Sequence, residues 1–424
     1  MKASLPPGLP ACAVVDLDAI RHNVATLLRR CPGAGVMAVV KADGYGHGLL
    51  PSARAALDGG ASWLGVATLA EALALRSGGV TAPVLAWLTV PGDRFVEAVT
   101  QGVDLGVSAR WSLDEVVAAA RRSGRPARIH LKIDTGLTRN GCPAALWPDL
   151  VEAAAKCQAD GLLEVAGAFS HYAQAEDRSH PSVAAQTAAF RDAVDAAQDR
   201  GLRFAVRHLA NSSAALNNPG SWFDLIRPGL ALYGLSPFDG APEPQAWGLQ
   251  PAMTLLARVA AVKHVAGGTG VSYGHVHTTA ADTTTAVVPL GYADGIPRHA
   301  SGRAPLWLRG RRHTIAGRVC MDQFVVDLQD AANSAGVVEG DPVVLFGDGT
   351  EGFPTAQEWA EAAGTISYEI VSRLGTRVPR RYLDRGAGAA APDPASGALA
   401  APADADGPAV ADRSADGSGA AGQP

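Results

Sequence analysis

The chain has 424 residues, 47% of them hydrophobic, with a formal net charge of −5 and a sequence pI near 6.1. This length is enough for two domains with a large core, and the composition is that of a globular protein rather than a fibre. The acidic balance and scattered arginines argue against nucleic-acid binding, and the absence of any run of 18 apolar residues argues against a membrane-spanning helix.

The N-terminal segment and the cysteines indicate the compartment. The sequence MKASLPPGLPACAV places prolines where a signal peptide needs an apolar segment. The five cysteines are an odd number, widely spaced and without a CxxC pair, which favours neither a disulfide framework nor a zinc site. We therefore expect a cytoplasmic protein without a metal centre.

Short apolar or β-branched runs alternate with amphipathic segments from about residue 18 to residue 234. The runs predict eight strands, at residues 36–40, 63–67, 84–88, 103–107, 128–133, 165–169, 204–209 and 223–226. Because strands and helices alternate in this way in parallel sheets, the pattern predicts an α/β fold, a (β/α)8 barrel of the TIM type. In such a barrel the chemistry lies where the strands end.

The segments between the strands carry helix-start signals. Asp18 is the predicted N-cap of the first helix, in DLDAIRHNVATLLRR. Thr68 with Glu71, and Ser112 with Glu115, have the spacing of capping boxes. A helix is therefore predicted after each of these residues.

The residue pattern changes after Pro237, where it predicts mainly short alternating strands joined by Gly and Asp turns. From residue 386 onward the chain has almost no large apolar side chains to offset the entropy of ordering. We therefore expect a flexible N-terminus (1–11), a barrel (12–245), a mainly β domain (246–385) and a disordered tail (386–424).

The ends of the predicted strands gather polar side chains. Lys41 and Tyr45 follow the first strand. Those that end or follow the fifth to eighth strands are Lys132, Asp134, Arg139, Ser170, His171, His208, Asn211, Ser212, Ser213 and Arg227. A single Lys, His or Arg at a strand end is more often a solvated or structural residue than a catalytic one. Together they indicate a site, because the interior of a barrel otherwise holds aliphatic layers.

These residues fit a bound aldehyde phosphate. Lys41 can hold a carbonyl cofactor as a Schiff base if burial or neighbouring cations lower its pKa. The segments NSS (211–213) and PGL (228–230) follow the seventh and eighth strands, where barrels commonly bind phosphate. His171 either stacks on a pyridine ring or is a hydrogen-bonded core histidine, and spacing favours neither interpretation.

Arg227 is the most informative of these residues. A guanidinium does not give up its proton, so an arginine that faces a pyridine nitrogen donates a hydrogen bond and leaves that nitrogen unprotonated. An unprotonated ring is a weak electron sink, which allows proton exchange at Cα and discourages transamination. An inward-pointing Arg227 would therefore favour racemisation.

The motif AVVKADGYGHG closely resembles the cofactor-lysine signature of bacterial alanine racemases, and other motifs follow in the family's order over about residues 12–384. They include HLKIDTGLTRNG, HLANSSAAL, IRPGLALYG, VSYGHVHT and AGRVCMDQFVVDL. The resemblance implies a pyridoxal-phosphate barrel followed by a β domain, to which residues 12–17 contribute a strand. It also implies interconversion of L- and D-alanine by two-base proton exchange at Cα of a pyridoxal 5'-phosphate aldimine, supplying D-alanine for cell-wall peptidoglycan.

The resemblance assigns two bases to opposite faces of Cα. Lys41 is implied as the Schiff-base lysine and as the base that deprotonates D-alanine, and Tyr273 in VSYGH as the opposite base. A free tyrosine has a pKa of about 10, so its environment must bring it into range. In the family this tyrosine comes from the partner subunit, which implies a head-to-tail homodimer with shared active sites.

The resemblance also implies which residues hold the cofactor and the substrate. Together with the strand-end pattern, it assigns to the cofactor Tyr45, His171, Asn211, Ser212, Arg227, Gly229, Leu230 and Tyr368. The amino-acid substrate and its carboxylate are assigned to Arg139, Met321 and Tyr292, an arginine being suited to a bidentate contact. His208 would orient Arg227. The residues implied to line the entry corridor are Tyr292, Arg298, Arg318 and Asp322.

Lys132 matches a lysine that is often carbamylated in this family. A carbamate would turn a cation beside Arg139 into an anion able to orient it. The chain departs from the family pattern at GLTRNG and SHYA, although Arg139 and His171 stay in register. These departures bear on substrate preference and loop mobility rather than on the activity itself.

Three alternatives remain open from the sequence. They are a racemase of broader amino-acid scope, a decarboxylase of basic amino acids on the same two-domain plan, and a barrel that carries pyridoxal phosphate without catalysis. The decarboxylase relatives usually have a glycine triplet and a C-terminal catalytic cysteine, and neither pattern is evident in this chain. A cofactor carrier would explain neither the second domain nor VSYGH.

Overall fold

The computed structural model describes residues 5–238, 240, 243–329 and 336–386. Strand β1 (Ala11–Asp16) comes first and belongs to a second sheet. The barrel strands that follow are β2 (Gly35–Val39), β3 (Trp63–Val66), β4 (Val84–Ala86), β5 (Asp104–Val107), β6 (Ala127–Lys132), β7 (Leu163–Phe169), β8 (Val206–His208) and β9 (Leu225–Ile226). In the described part of the chain these eight strands lie at the predicted positions. The predicted (β/α)8 barrel is therefore confirmed.

All the strand pairs of the barrel are parallel, in the order β8-β7-β6-β5-β4-β3-β2-β9. Strands β8 and β9 complete the ring through backbone hydrogen bonds, from Asp224 N to Arg207 O at 3.0 Å and from Arg227 N to Ala210 O at 2.8 Å. Because parallel strands in a barrel end at one rim, the side chains that follow them meet there.

Helices cover the outside of the barrel. They are α1 (Leu17–Arg30), α2 (Leu49–Asp58), α3 (Leu69–Ser77), α4 (Phe95–Thr100), α5 (Arg110–Ser123), α6 (Trp147–Ala159), α7 (Pro181–Asp199) and α8 (Ser212–Asn217). The predicted capping box at the start of α3 is confirmed: Glu71 N donates to Thr68 Oγ1, and Thr68 N donates to a carboxylate oxygen of Glu71. The strands are thus buried on both faces, as is usual for parallel sheets.

Two of the predicted helix starts are wrong. Helix α1 is capped by Asp16 rather than Asp18, since Asp16 Oδ1 accepts from the N–H groups of residues 18 and 19 where β1 runs straight into the helix. Helix α5 begins at Arg110, two residues before Ser112, so Ser112 lies in its first turn rather than at its N-cap. There Ser112 Oγ accepts from Ala109 N instead of capping the helix.

A second, mainly antiparallel sheet follows the barrel. Besides β1, its strands are β10 (Met253–Arg258), β11 (Ala261–Val265), β14 (Thr283–Val288), β15 (Pro305–Leu308), β16 (Arg311–Ala316), β17 (Phe324–Asp327), β18 (Pro342–Phe346) and β19 (Arg380–Leu383). The order of these strands in the sheet is β11-β14-β17-β16-β15-β18-β10-β1-β19. Strand β1 pairs antiparallel with β10 and parallel with β19, so the first strand of the chain lies in the sheet of its second half.

Shorter elements complete this second region. Strands β12 (Gly270–Val271) and β13 (His277–Thr278) pair as a hairpin around Tyr273, and α9 (Ala356–Ala363) and α10 (Ser367–Ser372) follow β18. Helix α10 packs on the barrel rim, where a Cβ added to Gly46 would stand 2.2 Å from Val371 O. Arg380 in β19 donates from Nε to Gly46 O at 2.9 Å. The second sheet is thereby anchored next to Lys41.

The described residues contain no helix long and apolar enough to cross a membrane. Leu5, at the start of the described part, is buried with Cys12 and Val14. Residues 1–4 and, apart from Gly386, the predicted disordered tail at 386–424 lie outside the described residues.

Candidate active site

A cavity of about 440 Å³ lies at the rim where the barrel strands end. This size suits a small organic ligand. Its walls are formed by Val39, Lys41, Ala42, Tyr45, Trp87, Lys132, Arg139, Phe169, His171, Asn211, Ser212, Arg227, Gly229, Tyr368 and Ser372. Most of the polar residues predicted at the strand ends therefore share one cavity.

Lys41 begins an unusual turn, Lys41–Tyr45. Residues 42–45 have φ between 53° and 61°, although only Gly44 is a glycine. Left-handed backbone costs roughly 1–2 kcal/mol for each residue with a Cβ, so the turn must be held from outside. Glu71 Oε1 accepts from Ala42 N at 2.7 Å, and Asp43 Oδ1 accepts from Leu49 N at 2.8 Å. These contacts hold Lys41 in the cavity wall.

His47 packs against the same turn and contacts two of its backbone carbonyls. The ring is fully buried and stacks on Tyr233 with 4.3 Å between centroids. Its Nδ1 lies 3.1 Å from Gly44 O and 2.9 Å from Tyr45 O, so Nδ1 carries the proton and donates to these carbonyls. Burial lowers the pKa of His47 to about 4, which keeps the ring neutral. His47, unassigned by the sequence, is thus a structural support for Tyr45.

A hydroxyl and a bare backbone segment form one end of the cavity. Ser212 Oγ accepts from Gly229 N at 2.9 Å and from Ala231 N at 3.3 Å. A Cβ on Gly229 would lie 2.1 Å from the hydroxyl oxygen of Tyr45, so this close approach requires glycine. Asn211 caps α8 by accepting from Ala214 N. These groups have the character of a phosphate-binding end.

Arg227 projects into the barrel and is almost wholly buried. Its Nη2 donates to Ser170 O at 2.6 Å and to Leu209 O at 3.2 Å, and its Nη1 donates to His208 Nδ1 at 3.1 Å. Burial lowers the pKa of the guanidinium to about 9, so it stays charged at neutral pH. The inward direction expected for Arg227 is therefore observed.

Several cations crowd this cavity and alter one another's protonation. Burial, and then the charge of Arg139, lower the pKa of Lys41. Burial, followed by Arg227 and Arg139, lowers the pKa of Lys132 to about 7. Burial and then Arg227 lower the pKa of His171 well below its usual value. The cavity thus holds a lysine whose neutral, nucleophilic form is more accessible than that of an ordinary lysine, beside groups suited to anions.

Two family models together match most of the chain. The model of the alanine racemase N-terminal domain matches residues 15–237, and that of the alanine racemase C-terminal domain matches residues 252–382. The chain belongs to the alanine racemase family. This family consists of isomerases, and the two matches fall on the barrel and on the second sheet.

Curated alanine racemases are similar over almost their whole length. The one from Frankia casuarinae is 56% identical over 384 residues, which cover 90% of this chain and 99% of that protein. The one from Salinispora arenicola is 58% identical over 369 residues, covering 87% of this chain and 97% of that protein. The chain therefore spans almost the full length of these relatives.

Solved alanine racemase structures share the fold. The enzyme from D-cycloserine-producing Streptomyces lavendulae superposes with a TM-score of 0.86 at 51% identity, covering 90% of this chain and 98% of that one. The Bacillus anthracis enzyme, solved with bound L-Ala-P, superposes with a TM-score of 0.80 at 33% identity, covering 90% and 97% of the two chains.

The residues that the alanine racemase resemblance assigns to the second base and the entry corridor lie apart from the barrel cavity. They are Tyr273, Tyr292, Arg298, Arg318, Met321 and Asp322, all in the second half of the chain. Tyr273 is 70% exposed, and with Met321 and Asp322 it lines a shallow depression of about 370 Å³. The chain thus presents these side chains away from its own Lys41.

Two more of the assigned residues lie behind the cavity wall. Leu230 is fully buried in the turn after Gly229, and His208 is fully buried behind Arg227. Tyr368 and Ser372 reach the wall from α10.

Several residues near the cavity were not predicted from the sequence. Trp87 and Phe169 line it, and Glu71 holds its lysine turn. His130 and Asp104 lie deeper in the barrel behind His208. His130 could have been found, because it lies two residues before Lys132 in one strand and therefore faces the same side. Nothing in the local sequence connects Asp104 with the site.

Proposed function

We propose that the chain is an alanine racemase that interconverts L- and D-alanine with pyridoxal 5'-phosphate and supplies D-alanine for peptidoglycan. The observation that carries this proposal is Lys41, a lysine with a lowered pKa, in one cavity with the Ser212–Gly229 end and inward-facing Arg227. The names of the curated relatives support the activity. The five free cysteines agree with a reducing, cytoplasmic location.

The cavity fits pyridoxal phosphate in size and in chemistry. Lys41 would hold the aldehyde carbon, and His171 would pack on the ring. The phosphate end would be formed by Tyr45, Asn211, Ser212, Gly229, Leu230 and Tyr368. The close approach at Gly229 supports this assignment, because backbone free of a Cβ is what a phosphate needs there. When bound, the cofactor would withdraw electrons from the substrate's Cα–H bond.

Arg227 would donate to the ring nitrogen and keep that nitrogen unprotonated, because a guanidinium has no acceptor atom. Electron withdrawal by the ring would then stay weak, which would favour return of a proton to Cα over side reactions. Lys41 would remove the α-proton of D-alanine, and in the opposite direction of the reaction it would deliver a proton to that same face of Cα, while the second base serves the other face. The lowered pKa of its amine favours the neutral form that such a base requires.

We propose that the opposite base is Tyr273 of a second subunit in a head-to-tail homodimer. The exposure of Tyr273 supports this, since a tyrosine that is 70% exposed on one chain is accessible to a second chain. Tyr292 and Met321, 44% and 53% exposed, lie in the same half of the chain. Tyr273 and Met321 line one depression, and exposed large apolar side chains that lie together are typical of an interface.

The substrate's carboxylate would be bound by Arg139, with Met321 and Tyr292 completing the pocket and Arg298, Arg318 and Asp322 lining its entrance. A carbamate on Lys132 would orient Arg139. The pKa of about 7 supports that modification, since about half of the amine is neutral at pH 7 and only a neutral amine reacts with carbon dioxide. We also propose that residues 12–245 form the cofactor-binding barrel domain and residues 246–385 the second, mainly β domain.

One experiment decides between this function and its alternatives. The optical activity of a panel of L- and D-amino acids is followed with wild type, Lys41→Ala and Tyr273→Phe. We expect interconversion chiefly of alanine, loss of the Schiff-base absorption in Lys41→Ala and a severe loss of rate in Tyr273→Phe. Comparable rates on many amino acids would favour the broad racemase, release of carbon dioxide from basic amino acids the decarboxylase, and cofactor binding without turnover the carrier.

A further inference from the structure

A line of four buried or nearly buried side chains crosses the barrel interior away from the cavity. Arg227 Nη1 lies 3.1 Å from His208 Nδ1, and His208 Nε2 lies 2.8 Å from His130 Nδ1. His130 Nε2 then lies 3.4 Å from Oδ2 of Asp104, a residue only 1% exposed. The line starts after β9, passes through β8 and β6, and ends at the first residue of β5.

The arginine sets the direction of the hydrogen bonds along this line. A guanidinium only donates, so His208 Nδ1 accepts. Burial and then the charge of Arg227 lower the pKa of His208 far below its usual value, so its ring is neutral and its one proton is on Nε2. That N–H is directed at His130 Nδ1, which must accept it. The proton of His130 is therefore on Nε2, facing Asp104.

The packing around the two imidazoles holds them in this arrangement. The β6–β7 register shifts between Ile129 and His130, an irregularity of the kind that re-aims a side chain. A Cβ on Gly167 would stand 2.5 Å from His130 Nδ1, so glycine leaves room for the pair. The ring of His208 stacks on Phe169 with 4.9 Å between centroids and an 8° interplanar angle. Both rings thus have little freedom to turn.

The far end of the line is a buried carboxylate. Asp104 Oδ2 and His130 Nε2 face each other, and neither atom has a hydrogen-bond partner among the described residues. Their 3.4 Å separation is slightly longer than a normal hydrogen bond. Because unpaired buried polar groups are costly, a shift of a few tenths of an ångström that joins them would stabilise both. Arg128 Nη1, which is partly exposed, lies 3.4 Å from the other oxygen, so Asp104 has a cation on one side and His130 on the other.

We propose that Asp104 and His130 are positioning residues for Arg227, acting through His208 in a directional relay that ends in a buried negative charge. The relay fixes one tautomer in both imidazoles. His208 Nδ1 is then always a hydrogen-bond acceptor for Arg227 Nη1, and this bond holds the guanidinium in place. The inference rests on the proposed function only in that Arg227 faces the ring nitrogen of the cofactor.

The wild-type protein provides the first test, which needs no turnover. With ¹⁵N-labelled histidine, the spectra of the cofactor-bound protein report which ring nitrogen carries the proton, and His130→Phe assigns the His130 signals by their loss. We expect both His130 and His208 as neutral rings protonated at Nε2. A proton on Nδ1 of either residue, or a doubly protonated ring, would overturn the relay whether or not the protein racemises alanine.

Asp104→Asn is the second test, because it removes the charge and keeps the shape. We expect kcat for alanine to fall roughly tenfold to a hundredfold, the range found for groups that orient metal ligands through hydrogen bonds. KM should change less than about threefold, since Arg139 and the substrate contacts are untouched. The His130 and His208 ¹⁵N signals should shift as well.

Asp224→Asn is the matched control. Asp224 is also next to a barrel strand and binds Arg207 at 2.8 and 3.0 Å, but it does not contact the relay. It should lower thermal stability and leave kcat and the ¹⁵N pattern unchanged. If Asp104→Asn matches wild type in kcat and spectrum, or the control loses kcat equally, the positioning role is refuted. If Asp104→Asn does not fold, the tautomers of His130 and His208 measured by ¹⁵N spectra of the wild-type protein decide whether the relay exists. An inactive wild type with the expected tautomers would refute the proposed function and leave the relay intact.

Discussion

Gly229 lies so close to Tyr45 that a Cβ on the glycine would stand 2.1 Å from the tyrosine hydroxyl oxygen. The two residues come from opposite ends of the barrel sequence, one after β2 and one after β9, which are paired neighbours in the sheet. Their contact forms the end of the cavity assigned to phosphate, so this end depends on the absence of a side chain.

Gly229→Ala should therefore weaken cofactor binding. The added methyl group must displace Tyr45, and overpacking of this kind costs about 1–3 kcal/mol, or roughly a fivefold to 150-fold rise in the cofactor's Kd. Titration of the apoprotein with pyridoxal phosphate measures the change. Gly220→Ala is the control, since its Cβ would meet only Asn218 Oδ1 at an ordinary 3.6 Å. Equal affinities in the two variants would contradict the assignment of Gly229.

His47→Phe should change how stability depends on pH. The pKa of this buried ring is lowered from 6.5 to about 4, so between these values the unfolded chain binds a proton that the folded protein does not. Stability from this source is present above pH 6.5 and is lost as the pH falls towards 4. In His47→Phe the slope of unfolding free energy against pH should decrease by up to about 1.4 kcal/mol per pH unit in that window.

Urea unfolding at several pH values between 4.5 and 7.5 measures this slope. His299→Gln, at an exposed position, is the control and should leave the slope unchanged. His47→Phe should also lower stability at pH 7 by about 1–3 kcal/mol, because the carbonyls of Gly44 and Tyr45 lose their donor. An unaltered slope would mean that folding does not lower the pKa of His47.

Mixing two inactive variants should restore activity if active sites are shared. A dimer of one Lys41→Ala chain and one Tyr273→Phe chain contains one site with both native bases. Random association after co-expression makes about half of the dimers mixed, so about a quarter of the wild-type activity should return. Co-expression of Lys41→Ala with the Lys41→Ala/Tyr273→Phe double variant should restore none. Mixed dimers without activity would place Tyr273 outside the partner's site.

Lys132 should form a carbamate when carbon dioxide is supplied. At a constant concentration of dissolved ¹³CO₂, the carbamate ¹³C signal should grow as the pH rises through about 7, because the neutral amine is the reactive form and the pKa of Lys132 is about 7. Lys132→Met should lack the signal, whereas Lys156→Met, at an exposed helical position, should retain it. A wild-type protein without the signal at pH 8 would exclude the modification.

Much of the barrel could be predicted from local patterns. Each barrel strand is a short apolar run between turn signals, and the eight barrel strands among the described residues lie within a few positions of the prediction. The N-cap of α1 could not be chosen from the sequence, because Asp16 and Asp18 are both aspartates, a residue type that caps helices well. The end of β1 decided between them.

The site residues that directly follow a strand could be predicted from the sequence. Those that are brought together only by the fold could not. Lys41, Ser212 and Arg227 were predicted because strand order in a barrel places them at one rim. His130 and His208 are 78 residues apart in the chain, and no local pattern relates them. The left-handed backbone at Ala42 and Asp43 was also not predicted, since neither residue type favours positive φ strongly enough to show it.

The sequence by itself determined the barrel, the β-rich second half and the motifs that carry the family relationship, because hydrophobic period, turn residues and motif order are local properties of the chain. Only the tertiary structure decided that Tyr273 lies on the surface while Arg227 points inward, and that Asp104 stands at the end of a line of histidines. The physical reason is that burial and electrostatics depend on which strands become neighbours, and the closed ring of parallel strands sets those neighbours far apart along the chain.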